Sequence, residues 1–226
     1  VSSQIEARGV RNPRVLEAMR QVERHRFIPA DGQAVAYRDG PVPIGQGQTI
    51  SKPGVVARMI ELLCQARVQP LGRVLEIGTG WGELAIRAAR RGATVHSITL
   101  SSEQLALAEE RIAAAGYADQ VTVALCDYRD LEAPVGPHGA TGYDAVVSVE
   151  MIEAVGHEYW RTYFETIDRV LAPGGKVAIQ AITMPHDRML ATRNTYTWIH
   201  KYIFPGGLLP SVEAVDEVTR EQLDDE

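Results

Sequence analysis

Apolar positions along the 226 residues follow two periods. Short aliphatic and β-branched runs at residues 74–77, 93–99, 121–126, 143–149 and 176–182 have the length and composition of strands. Between them, residues 84–91, the stretch opened by Ser101 and Ser102, and residues 163–171 carry apolar side chains at helical spacing. This alternation predicts an α/β fold from residue 73 onward, with a mostly parallel sheet and helices on both faces.

Upstream, Ile5, Val10, Val15, Leu16, Met19 and Val22 suit one or two short helices, with Pro13 near a helix start after Asn12. Residues 27–53 are rich in Gly, Pro and Asp, yet hold Phe27, Ile28, Tyr37, Ile44 and Ile50, which read as buried. A long ordered loop of this kind is usually functional. Past the fifth strand, residues 184–200 read as a mobile segment and a helix. A cover-like stretch then holds Trp198, Ile199, Tyr202, Ile203 and Phe204, for which core packing is the plainer reading.

The strongest local signal is R-V-L-E-I-G-T-G-W-G-E at residues 73–83. An apolar strand runs into Gly78, Gly80 and Gly82 and then into a helix, an order that turns free helical N–H groups toward a crevice. Glycines used only for steric reasons would give the same spelling. Glu76, however, stands inside the apolar run, an expensive place for a carboxylate unless it bonds to the loop amides or to a cationic ligand. The spacing G-x-G-x-G also departs from the dinucleotide pattern.

Hydrophobic content of 45% over this length suits one domain spanning residues 1–226, with 1–70 as an N-terminal helical and loop cover and 184–212 as an insertion over the site. A net charge of −6 offers no general attraction to nucleic acid. Arg8, Arg11, Arg14, Arg20, Arg24 and Arg26 form either a local basic patch or the solvated faces of helices. Cys64 and Cys126 have neither metal-ligand spacing nor a disulfide framework, so no metal is expected and a cytoplasmic setting is. No leader or membrane-spanning run is evident.

Residues 73–83 resemble motif I of the class I S-adenosylmethionine-dependent methyltransferases, which implies their Rossmann-like fold and S-adenosyl-L-methionine as cofactor, with the loop around its methionine part. From about residue 4 to 63, the phrases R-G-V-x-x-P-R-V-L-x-A-M, H-x-F-I-P and P-I-G-x-G-Q-T-I-S-x-P resemble protein-L-isoaspartate O-methyltransferase. In that family the T-I-S loop lies over the active site and its Ser, here Ser51, helps hold a substrate carboxylate. Capping of the following helix is the alternative for Ser51.

From about 73 to 215 the chain resembles the cyclopropane-fatty-acyl-phospholipid synthase family. Its T-L-S-x-x-Q phrase implies that Thr99 and Gln104 hold the ribose and methionine ends in place of the usual acid. V-E-M-I-E-A-V-G-H implies that Glu153 belongs to a bicarbonate-holding site, with Glu150 facing the cofactor and His157 a further catalytic candidate. Gln180 stands where many synthases have His, and Tyr202 lies in the insertion that helps enclose an apolar acceptor. Asp127 suits the adenine amino group, or a strand-end cap, and Tyr128 would stack or pack beside the ring.

The synthases' catalytic Cys and C-terminal Tyr have no counterpart. The C-terminal strands of the usual seven-stranded sheet are apparently missing, so the open edge calls for a cover or for a homodimer partner. Together these resemblances imply methyl transfer to an apolar small molecule at carbon. Transfer to an isoaspartyl or other carboxyl oxygen is the runner-up, and a non-enzymatic protein retaining the crevice is a third possibility.

Overall fold

The computed structural model describes residues 2–45, 48–65, 72–136, 141–195 and 206–223. Two compact units make up the chain, Val1–Val68 and Gln69–Glu226. Tyr202 and its aromatic neighbours in the cover-like stretch lie outside the described residues.

The first unit opens with α1 (Ser2–Ala7) and α2 (Pro13–Gln21). Asn12 caps α2 by accepting from the Arg14 amide, and Pro13 fills its first turn, where a missing N–H costs nothing. Ile5, Val10 and Val15 are buried together against Ala57 of α3 (Pro53–Gln65). The turn-rich stretch folds into two 3-10 turns and a hairpin of β1 (Val42–Gly45) with β2 (Gln48–Ile50). Its core is small: Ile28, Ala36 and Val42 are buried and Ile50 packs against them. Phe27, Tyr37 and Ile44 are exposed, contrary to expectation. The Tyr37 ring stands outward with its hydroxyl 2.7 Å from His25 Nδ1.

The second unit is the alternating α/β body. Five strands, β3 (Arg73–Ile77), β4 (Thr94–Thr99), β5 (Val121–Leu125), β6 (Tyr143–Val149) and β7 (Leu171–Gln180), pair in the order β5-β4-β3-β6-β7, all parallel. The turn Pro173-Gly174-Gly175 falls inside β7, where the register with β6 shifts between Tyr143 and Ala145. Side chains alternate across the sheet. Val74, Val95 and Ala145 meet α4 (Glu83–Ala89) and α5 (Ser102–Ala114) on one face. Leu75, Ile77, Ile98 and Val146 meet α7 (Trp160–Val170), α8 (His186–Thr192) and α9 (Val212–Leu223) on the other, with the short α6 (Ile152–Val155) between β6 and α7.

The order reverses at β3, so β4 and β6 leave it on opposite sides. A crevice opens there at the carboxyl ends of the strands, the place where such sheets bind ligands. Among the described residues no helix is long and apolar enough to cross a membrane.

Candidate active site

The glycine loop is fixed by its neighbours on three sides. The amides of Gly78 and Thr79 both donate to the Ile98 carbonyl, at 3.1 and 2.9 Å, tying the loop to the end of β4. Gly78 has φ +97°, and a Cβ there would stand 2.8 Å from Met151 Cγ. Gly82, φ +79°, caps α4, and a Cβ would meet Ala108 Cβ at 3.1 Å and its Cα at 3.2 Å, so the loop lies tightly on α5. Gly80 is left-handed as well.

Glu76 is 3% exposed and lies opposite Ser97 in the β3–β4 register. Ser97 Oγ donates to Glu76 Oε2 at 2.5 Å and sits 2.7 Å from Thr79 Oγ1, which orders a relay of donors from Thr79 through Ser97 to the carboxylate. Of the loop amides that could have held this carboxylate, those of Gly78 and Thr79 are spent on Ile98, and the Ser97 hydroxyl binds it instead. Burial pushes the Glu76 carboxyl up to about 7, against the opposing pull of Ser97.

Beside the loop is a cavity of about 320 Å³, walled by Ile77, Gly78, Leu100, Cys126, Tyr128 and Met151 and by the Thr99–Gln104 turn. Thr99 Oγ1 donates to Gln104 Oε1 at 2.8 Å and accepts from the Ser101 amide at 3.1 Å. Ser101 Oγ in turn caps α5 by accepting from the Gln104 amide. The two residues singled out from the phrase T-L-S-S-E-Q therefore share one rigid turn on the cavity wall. Tyr128 is set by an edge-on contact with Tyr163, ring centroids 5.3 Å apart.

Asp127 behaves otherwise. Both of its oxygens are engaged by the Arg129 guanidinium, at 2.9 and 2.6 Å, and it caps the 3-10 turn Tyr128–Asp130 through the Arg129 amide. Arg129 holds the Asp127 carboxyl below its ordinary range, and a ligand amino group would have to share it with that cation.

At the end of β6, Glu150 has φ +52°, a strained value for a side chain of its size. Its amide donates to the Gln180 carbonyl at 2.9 Å, and Gln180 Nε2 reaches Glu150 Oε1 at 3.4 Å. Three residues on, Glu153 is completely buried. Its Oε1 accepts from the Ile182 amide, while Oε2 is unpaired among the described residues. Burial raises its pKa, the Ile182 bond opposes the rise, and the like charge of Glu150 adds to it.

His157 does not join this group. It lines a second hollow of about 390 Å³ with Trp160 and His186, and its Nδ1 is 3.2 Å from Glu158 Oε2. Ser51 belongs to the first unit, with an exposed side chain and a backbone carbonyl 2.6 Å from Arg24 Nη1. Arg24, 8% exposed, also donates to the carbonyl of Ala36 at 2.6 Å and, at longer range, to those of Ile50 and Gly40. Arg8, Arg20 and Arg26 pair with Asp39, Glu6 and Glu23, so these three and Arg24 are engaged in local ion pairs and backbone clamps.

Two polar groups near the site escaped the sequence reading. Ser97 had a signal, a hydroxyl residue inside an apolar strand; Tyr163 had none, because its ring fits the apolar stripe of α7.

The family model for mycolic acid cyclopropane synthetase matches residues 55–223. The tuberculostearic acid methyltransferase UfaA1 of Mycobacterium tuberculosis (strain ATCC 25618 / H37Rv) is 60% identical over 158 residues, 70% of this chain and 35% of that protein. The chain thus spans about a third of that relative's length. A protein-L-isoaspartate O-methyltransferase of Synechococcus sp. (strain JA-2-3B'a(2-13)) is 35% identical over 220 residues, 94% of this chain and 83% of the other. Among solved structures, mycolic acid cyclopropane synthase CmaA1 complexed with SAH and CTAB superimposes with a TM-score of 0.60 at 26% identity, covering 74% of this chain and 59% of that one.

Proposed function

The chain belongs to the mycolic acid cyclopropane synthetase family, with protein-L-isoaspartate O-methyltransferases as relatives along nearly its whole length, and we propose that it is an S-adenosylmethionine-dependent methyltransferase acting at carbon on an apolar, acyl-like small molecule. The residues present suit the cofactor. Glu76 is a buried carboxyl without a cationic partner among the described residues, and the cofactor's amino end is a cation. Gly78 leaves room that a Cβ would fill. Thr99 and Gln104 present hydroxyl and amide groups suited to ribose, and Leu100, Tyr128 and Met151 supply apolar walls suited to adenine. When bound, the cofactor supplies a methyl group made electrophilic by its sulfonium.

For such a transfer the protein has mainly to position the acceptor and exclude water. A carbon acceptor that gains a methyl cation must release a proton, and Glu153 is the group to take it. The observation that carries this reading is its Oε2, buried and unpaired two residues past Met151, whose side chain lines the cavity. A carboxylate raised by burial is better matched to proton transfer near neutrality than an exposed one. Glu153→Gln keeps the shape and removes the base. It is expected to lower turnover about 100-fold with cofactor affinity unchanged, and undiminished turnover would assign Glu153 a structural role.

A second reading, methylation of a carboxylate oxygen, is favoured by the Arg24 clamp, which builds the T-I-S turn around the Ser51 carbonyl. A carboxylate acceptor needs no base, so incubation with an isoaspartyl peptide separates the two readings. The same account expects the outer edge of β7, where Val177 is 44% exposed, to be covered by a second copy in a homodimer. Light scattering of the pure protein tests this, a monomer counting against it.

A further inference from the structure

Among the described residues Glu150 is the one non-glycine with a left-handed backbone, φ +52°. A glycine takes that conformation freely, whereas a glutamate takes it with strain, and strain of this kind beside a site points to a use for the side chain itself. Gln180, at the carboxyl end of the neighbouring strand β7, holds the residue twice. Its carbonyl accepts from the Glu150 amide at 2.9 Å, and its Nε2 donates to Glu150 Oε1 at 3.4 Å. Glu150 is therefore an exposed carboxylate fixed just past the end of β6, one residue before Met151, whose side chain lines the cavity beside Gly78.

The charges around it have one sign. The negative charge of Glu150 reaches Glu153 and disfavours a second charge there. No lysine or arginine is among the described residues that line the cavity. Arg129, next to Tyr128 in sequence, is engaged by both oxygens of Asp127 and lies over the Tyr159 ring, 5.7 Å from its centre. A ligand that brings negative charge to this rim meets Glu150 and no cation on the cavity wall, while a neutral chain meets Leu100, Tyr128 and Met151.

Resting on the reading that the acceptor is an apolar chain methylated beside Glu153, we propose that Glu150 is a specificity-determining residue. Held by Gln180, its carboxylate repels acceptors that carry negative charge near the methylated atom, so it admits the neutral part of an acyl chain and turns away a free carboxylate. Discrimination of this kind works through an unfavourable contact with the wrong ligand, not through a better one with the right ligand. It reaches only charges close to the methylated atom, because solvent and salt screen an exposed carboxylate at longer range. The inference therefore stands against a carboxylate oxygen as acceptor.

The test is calorimetric binding of two ligands that differ in one charge, a β,γ-unsaturated medium-chain fatty acid and its methyl ester, to protein saturated with S-adenosylhomocysteine. The acid holds its carboxylate close to its double bond. In the unaltered protein the ester should bind more tightly than the acid, and raising the ionic strength should narrow the gap. Glu150→Gln removes the charge and keeps the shape; it should narrow the gap about tenfold, the effect of one like charge at close range, and leave the remainder insensitive to salt. Glu150→Gly, which also relieves the backbone, should narrow it equally and stands in if the glutamine variant folds poorly. Equal affinity of acid and ester in the unaltered protein, or a gap that neither variant moves, overturns this inference while the bound ester leaves the acyl-acceptor reading standing. Failure of both ligands to bind overturns that reading and the inference with it.

Discussion

Ser97 lies opposite Glu76 in the parallel register of β3 and β4, and its hydroxyl donates to the Glu76 carboxylate at 2.5 Å inside the sheet. One neutral donor does not offset the burial, and the carboxyl is pushed up from 4.5 to about 7. Between those values the folded protein keeps a proton that the unfolded chain has released, so this group makes folding less favourable as pH rises. Glu76→Gln should stabilise the ligand-free protein at pH 7.5 by up to about 3 kcal/mol and flatten the fall in stability between pH 5 and 7. Urea unfolding at both pH values checks it.

A cation placed beside Glu76 reverses that balance. Cofactor binding at pH 6 should then release protons, up to about one per molecule bound, because the carboxyl ionises in the complex. Calorimetry in buffers of different ionisation enthalpy measures this directly, and Glu76→Gln should abolish it together with much of the affinity.

Gln104→Ala removes the partner of Thr99 Oγ1 from the cavity wall. Cofactor binding should weaken by about 1–3 kcal/mol, the cost of leaving a hydroxyl unpaired, with little change in melting temperature. An unaltered dissociation constant would show that this turn does not touch the cofactor.

Arg24 gives a prediction confined to the first unit. Its guanidinium serves the carbonyls of Ala36 and Ser51 at once, a spread that the single ammonium of lysine cannot match. Arg24→Lys should lower the stability of this unit by about 2–3 kcal/mol, seen as faster hydrogen exchange across α2 and the β1–β2 hairpin, while exchange in β3 and β4 is unaffected.

The legible parts of this molecule are those in which local chemistry and strand period agree. A carboxylate inside an apolar strand before three glycines marks the loop, and Thr99 with Gln104 is close enough in sequence to be read as one turn. Contacts made across the fold are harder to read. Arg24 reads as one of six arginines in a basic patch or on solvated helix faces, and its burial follows only from the carbonyls of Ala36, Ile50 and Ser51 that the fold brings around it. Asp127 is an acid at a strand end, and nothing in C-D-Y-R-D says that Arg129 turns back to hold both oxygens. His157 follows Glu153 by one helical turn, but Gly156, at φ +85°, ends α6 and sends the histidine to another hollow.

The central claim is that the methyl group goes to carbon. Incubation with S-adenosylmethionine carrying an isotopically labelled methyl and an unsaturated acyl acceptor, followed by alkaline hydrolysis and mass analysis, tests it most directly. The account predicts label that survives hydrolysis in the acyl chain and disappears in Glu153→Gln; label lost as methanol from an ester, equally in both proteins, would contradict it.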